Sequence, residues 1–216
     1  MIYLSYVMSL DGKIGDVGGN FYNFSSRRDR ERLFFLRAMA DVVVVGAETI
    51  RRENPPFKLK DEYGPLRREL GKSKNFDILI LTETLDISED SRVFEYIEDR
   101  KIYILTGSGN KKSFGENVEI ISFNGKIRGK NVVDFLHGRN YEDILVEGGG
   151  EVNALFLSEG FVDKIYCTIS PIVLGGRENP TPCGGDFFKK YPEFQLVRVE
   201  RVLNEVFLEY ERINLR

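Results

Sequence analysis

Short apolar runs rich in β-branched residues alternate with longer amphipathic stretches along the chain. Residues 2–8 (IYLSYVM) read as a first strand. Ser25 or Ser26 is placed to cap a helix running to about Ala40, with Leu33, Phe34, Leu36 and Met39 at helical spacing. Val42–Val45 is an unbroken apolar run ended by Gly46, the pattern of a parallel-sheet strand buried on both faces. A short helix is predicted over Ala47–Arg52, stopping before Asn54-Pro55-Pro56. Residues 58–76 are polar and punctuated by Gly and Pro, which predicts a surface connection. Further strands are predicted at Ile78–Leu81, Ile102–Leu105, Val118–Ile121, Ile144–Val146 and 164–170. Helices are predicted around Ser91–Glu98, Asn131–Gly138 and 151–159. After a Gly- and Pro-rich stretch over 171–186, residues 195–202 and 205–213 read as an antiparallel hairpin split at Leu203-Asn204.

Strands alternating with helices imply a layered α/β sheet with right-handed crossovers, which the final hairpin makes mixed. No internal repeat, low-complexity tract or linker marks a boundary, so one domain over residues 1–216 is expected.

Composition narrows the function. A chain of 216 residues with 42% hydrophobic and 30% charged residues is globular and buries a sizeable core without disulfides or a structural metal. The net charge is −3, so the basic excess of a nucleic-acid binder is missing, and an anionic ligand must be held by local cations and backbone N–H groups. Cys167 and Cys183 are too few for a disulfide framework or a four-cysteine zinc site, and His137 is the sole histidine; no metal site is expected. The first eight residues lack a basic flank and are cut off by Asp11-Gly12-Lys13. They read as neither signal peptide nor membrane span, and a cytoplasmic setting is expected.

In open α/β sheets ligands sit beyond the carboxyl ends of the strands. Two such ends stand out, Val45-Gly46-Ala47-Glu48-Thr49 and Val146-Glu147-Gly148-Gly149-Gly150. The second leads at once into a helix, whose free N–H groups can receive a phosphate. It is not the GxGxxG fingerprint, and a bare glycine triplet serves equally as a tight turn with no ligand. Glu147 can accept hydrogen bonds from substrate hydroxyls, or cap its helix. Asp11-Gly12 reads as a turn ending the first strand. Arg37 lies within an apolar stripe, its partner either a substrate phosphate or an internal carboxylate. Arg51, Arg52, Lys58 and Lys60 form either a solvated surface cluster or a cationic rim. Cys167 reads as core, Cys183 as exposed, and His137 as structural or exposed.

Taken jointly, seven segments resemble the riboflavin-pathway reductase family, the RibD C-terminal reductase domain with its dihydrofolate-reductase-like fold. They are VMSLDGK (Val7–Lys13), LRAMAD (Leu36–Asp41), VVVVGAET (Val42–Thr49), Asn54-Pro55, EGGG (Glu147–Gly150), Phe161-Val162-Asp163 and SPIVLGG (Ser170–Gly176). They stand in the family's order and span nearly the whole chain. The resemblance implies a three-layer α/β fold with a mixed, mostly parallel central sheet and a C-terminal antiparallel hairpin. It implies a homodimeric, NADPH-dependent reductase that passes hydride to ribose C1′ of a pyrimidine ribosylamine 5′-phosphate.

Carried over by position, the resemblance assigns cofactor contacts to Val7, Asn23, Thr49, Glu53 and Thr82, and pyrophosphate binding to the amides of Gly149, Gly150, Glu151, Val152, Asn153, Ala154 and Leu155. It assigns the substrate to Phe21, Arg37, Phe57, Lys60 and Glu147, with Arg37 and Lys60 on the phosphate. Glu147 and Asp11 are the ionisable candidates for catalysis. The chain departs from the family's Thr-x-x-x-Asp-Asp-Pro with Thr49-Ile50-Arg51-Arg52-Glu53-Asn54-Pro55, and from its usual Glu after Asp163 with Lys164. The zinc deaminase ligands of bifunctional members are absent, which favours 2,5-diamino-6-ribosylamino-4(3H)-pyrimidinone 5′-phosphate as substrate. The deaminated uracil analogue, another dihydrofolate-reductase-like substrate, and a non-catalytic nucleotide-binding role are the alternatives.

Overall fold

Every residue of the Val42–Val45 run is buried, and the same holds for Ile102–Thr106. These runs anchor the core of a computed structural model that describes residues 1–17, 25–109, 112–123 and 125–213. In chain order the elements are β1 (Ile2–Met8), α1 (Arg27–Met39), β2 (Val42–Gly46), α2 (Ala47–Glu53), α3 (Gly64–Glu69), β3 (Asp77–Thr82), β4 (Ile102–Thr106), β5 (Val118–Ser122), α4 (Gly129–His137), β6 (Ile144–Gly148), α5 (Gly150–Ser158), β7 (Lys164–Ile169), β8 (Phe194–Val202) and β9 (Glu205–Arg212). The mixed, mostly parallel sheet with a C-terminal hairpin expected from the sequence is the one observed.

The chain folds as two compact units, Met1–Leu33 with Val146–Arg216, and Phe34–Leu145. It passes from one to the other inside α1 and returns inside β6. The Phe34–Leu145 unit carries strands in the order β5-β4-β3-β2, all parallel, with Val43 opposite Ile78 and Ile78 opposite Ile102. Burial on both faces explains why these strands are unbroken Val/Ile/Leu runs. The other unit carries the order β6-β1-β7-β9-β8, with β1 and β7 parallel and the β9 pairings antiparallel. Leu203 turns the β8–β9 hairpin in the left-handed region, at φ 55°.

Ser26 caps α1 as predicted, its Oγ accepting the Asp29 amide at 3.1 Å. Two predictions fail. Residues 91–98 are not a helix: they form separate 3-10 turns at Arg92–Phe94 and Ile97–Asp99, parted by Tyr96 at φ 63°. Residues 58–76 are not a plain surface connection. They contain α3, and its Arg67 is 1% exposed. Arg67 donates to the carbonyls of Ala38 (3.1 Å) and Ala40 (2.7 Å) at the C-terminal end of α1, and to those of Ser73 (2.6 Å) and Asn75 (2.9 Å). One guanidinium thus satisfies acceptors at a buried helix end that the backbone leaves open.

Candidate functional site

Within the Met1–Leu33 and Val146–Arg216 unit, three connections follow β1, β6 and β7. Ser9 Oγ donates to Asp11 Oδ1 at 2.6 Å and its amide to Lys13 O at 2.9 Å, closing the Asp11-Gly12 turn. The Asp11 carboxylate also accepts the amides of Leu174 (3.0 Å) and Gly175 (2.8 Å), while Leu10 N reaches Ile172 O at 2.7 Å. The Ser9–Lys13 and Ser170–Gly176 segments are therefore sewn together. The Ser9 hydroxyl first, then the Leu174 and Gly175 amides, hold the Asp11 carboxyl at about 2. The Asp11 oxygens are thereby engaged in holding the turn and the Leu174-Gly175 backbone.

β6 ends at Gly148, whose φ of 88° only glycine adopts freely. A Cβ there would also sit 3.2 Å from Asn153 Oδ1. Gly149 is the N-cap of α5, and the bond from Asn153 N to Gly149 O (3.0 Å) is the first of the helix. The amides of Gly150, Glu151 and Val152 precede it, at the positive end of the helix dipole. Those of Asn153, Ala154 and Leu155 belong to the helix's own ladder, and the side chains of Val152, Asn153 and Ala154 are buried. Of the expected set Gly149–Leu155, the amides outside the helix's own ladder are those of Gly149, Gly150, Glu151 and Val152.

Residues 181–185 pack beside this turn. Gly184 N donates to Gly150 O at 3.0 Å, Gly185 N to Glu151 Oε1 at 2.9 Å, and Asn153 Nδ2 to Pro182 O at 2.7 Å. Asn153 Oδ1 is buried with no hydrogen-bond partner. Open amides together with a spare acceptor fit a ligand bearing both phosphate oxygens and hydrogen-bond donors, as a dinucleotide does. Val7 is half-buried in β1 opposite Thr168, and Glu147 is half-buried one residue before the end of β6. Phe21 and Asn23 lie outside the described residues.

Within Phe34–Leu145, Arg37 is 5% exposed in the last turn of α1. Its guanidinium lies 5.0 Å from the Phe57 ring centroid and 5.9 Å from that of Phe76. The Phe57 ring is itself buried and packs against the Arg37 guanidinium. Lys60 sits 4.8 Å over the Phe34 ring, with Glu62 Oε1 at 3.4 Å. Arg51 and Arg52 both pair with Glu48, at 2.7 and 2.6 Å, so these two guanidinia are engaged on α2. Thr49 is half-buried inside α2, and Glu53 is exposed at its last residue. Thr82, buried at the end of β3, spends its hydroxyl on the Thr84 carbonyl and receives the Thr84 amide at 3.3 Å.

The sequence reading named Asn153 for its amide only, and it passed over Arg100 and Arg67; Arg100 carried no motif. Arg67 had a signal, since Gly64-Pro65 reads as a helix start with proline in the first turn.

Glycine-rich strand ends opening into helices define an α/β fold of the kind that binds its ligands beyond the carboxyl ends of parallel strands. The family model of the RibD C-terminal domain matches residues 1–208. The chain belongs to the RibD C-terminal domain family. It is 29% identical over 97% of its length to the chloroplastic riboflavin biosynthesis protein PYRR of Arabidopsis thaliana, of which it spans 33%. It is 27% identical to the 2,5-diamino-6-ribosylamino-4(3H)-pyrimidinone 5′-phosphate reductase of Archaeoglobus fulgidus, covering 99% of this chain and 98% of that protein. A crystal structure of a pyrimidine reductase-like protein from Corynebacterium diphtheriae has the same fold, with a TM-score of 0.83 at 24% identity, covering 99% of this chain and 92% of that one.

Among the described residues no helix is long and apolar enough to cross a membrane. No group of three or more His, Cys, Asp or Glu among them is arranged to hold a metal ion.

Proposed function

We propose that this chain is a riboflavin-biosynthesis reductase that uses NADPH to reduce 2,5-diamino-6-ribosylamino-4(3H)-pyrimidinone 5′-phosphate to its ribitylamino product. The observation that carries this reading is the near end-to-end match with the A. fulgidus reductase, whose name states that substrate. When bound beside the first turn of α5, NADPH would supply the hydride for ribose C1′, with the C1′–O4′ bond opening and a proton passing to O4′. The chain's own part is to hold, orient and dry the reactants.

The amides of Gly150, Glu151 and Val152 suit the pyrophosphate, and Asn153 Oδ1 suits a donor on the same cofactor. Val7, Thr49, Glu53 and Thr82 stay assigned to the cofactor by position, with Asn23. Arg37 and Lys60 bind the substrate phosphate; Glu147, with Phe21 by position, meets the sugar and base. Glu147 is also the group placed to move a proton at O4′, directly or through water. The working form is a cytoplasmic homodimer in which the exposed edge strand β8 joins two copies.

The test is NADPH oxidation followed with the diaminopyrimidinone phosphate and its deaminated uracil analogue offered separately. Turnover confined to the first is the expected result. Turnover of the second alone moves the substrate assignment, and turnover of dihydrofolate alone replaces it. Binding of NADPH without any turnover marks a nucleotide-binding protein. In the same assay Arg37→Ala is expected to raise the substrate KM about tenfold and leave cofactor affinity within twofold.

A further inference from the structure

A second buried arginine lies beside Arg37. Arg100, just before β4, is 6% exposed and stacks 5.0 Å from the Phe76 ring centroid. Its Nη1 donates to the carbonyl oxygen of Phe57, and its Nε is buried without a hydrogen-bond partner. The two aromatic rings that flank the Arg37 guanidinium are thus the two residues that Arg100 holds, Phe57 through its backbone and Phe76 through its ring face. Phe57 follows the left-handed Asn54 that ends α2, so the loop has left regular structure before it reaches this contact.

We infer that Arg100 is a positioning residue for the substrate's phosphate: it fixes Phe57 and Phe76, and through them the direction and cationic surroundings of the Arg37 guanidinium. The inference rests on the proposed phosphate role of Arg37.

Two cations gathered around one ring and shielded from water repel each other. Burial first, and then the neighbouring Arg37 charge, bring Arg100 down to about 10, against the opposing pull of Asp77 and Asp99. Binding of a phosphate dianion relieves that repulsion, and the unpartnered Nε shows that Arg100 is not exhausted by its bond to Phe57. A purely structural arginine resembles Arg67, whose donors are spread over backbone carbonyls of one corner.

The experiment compares wild type, Arg100→Gln, Arg37→Ala and the double variant. Each is assayed with the phosphorylated pyrimidinone and with its dephosphorylated riboside, with NADPH affinity measured alongside. Arg100→Gln is expected to raise KM for the phosphorylated substrate about tenfold, change kcat less than about twofold and leave the riboside unaffected. Added to Arg37→Ala, it is expected to change KM by less than about twofold, because both act through one guanidinium.

Equal losses on both substrates, or a full additional loss in the double variant, overturn the inference. If Arg37→Ala separates the two substrates and Arg100→Gln does not, Arg100 alone is dismissed. If Arg37→Ala treats them alike, the underlying phosphate assignment falls, and the inference with it. Should Arg100→Gln not fold, Arg100→Lys gives the same reading. It keeps the charge and the bond to Phe57 but loses the planar stack, so a smaller KM rise confined to the phosphorylated form is expected. A rise shared by both forms dismisses Arg100.

Discussion

Gly150 has no room for a side chain. A Cβ there would lie 2.4 Å from the Thr181 carbonyl oxygen and 3.2 Å from Gly184 N, both backbone atoms of a neighbouring segment. Gly150→Ala is therefore expected to push residues 181–185 away from α5, costing about 1–3 kcal/mol in urea unfolding. Gly109→Ala, where a Cβ meets open space, is the control and is expected to stay within about 0.5 kcal/mol. Individual residues were unevenly legible in the sequence. The Glu147–Gly150 run announced a turn opening into a helix, and that is where α5 starts. Which amides stay open depends on where the first intrahelical bond forms, and one residue of shift decides it. The side-chain roles of Asn153 and Arg100 depend on tertiary partners 29 and 43 positions away in the chain, and no local pattern encodes them.

At the scale of elements, the corner between α1 and β2 is held by charge. Asp41 accepts the amides of Glu142 (3.0 Å) and Asp143 (2.9 Å), and Lys72 Nζ bridges Asp41 (2.6 Å) and Asp143 (2.8 Å). Burial works against the Asp41 charge, but the Asp143 amide, Lys72 and the Glu142 amide outweigh it and hold the carboxyl below its ordinary value. A depressed carboxyl stabilises the fold above its unfolded pKa of about 4 and loses that contribution as pH falls through the folded value. Lys72 is likewise opposed by burial but raised on balance by Asp143 and Asp41. Its contribution is complete below about 10.4 and fades as pH rises through the raised value. Asp41→Asn is expected to flatten the acid limb of stability against pH, measured by urea midpoints from pH 7 down to about 3. An unchanged limb would remove the corner from the account. Long periodic elements were readable because burial imposes their pattern: α1, β2 and the β8–β9 hairpin stand within one or two residues of expectation. The six residues of α3 and the single-turn helices at 92–99 were not, since so short a piece shows less than two turns of periodicity.

Across the whole molecule, the order of the segments carried more information than any one of them. Each of the seven is a few residues long, yet together they match a family model over residues 1–208. Association is a property at this scale. β8 closes the strand order of its unit, and on it the exposed Leu196, Val197 and Val199 alternate with the charged Arg198, Glu200 and Arg201. If the proposed homodimer joins through β8, Val199→Lys shifts the sedimenting species from dimer to monomer and removes the protein-concentration dependence of the urea midpoint. A wild-type monomer, or a dimer indifferent to the change, would remove β8 as the joint. The stretch after β7 has a different consequence. It is tied at its near end to Asp11 and at its far end to Gly150, Glu151 and Asn153, with Asn179 receiving the Val17 amide between them. The two ends are therefore anchored independently of each other, and a cut at the exposed Arg177 would leave each end held by its own hydrogen bonds.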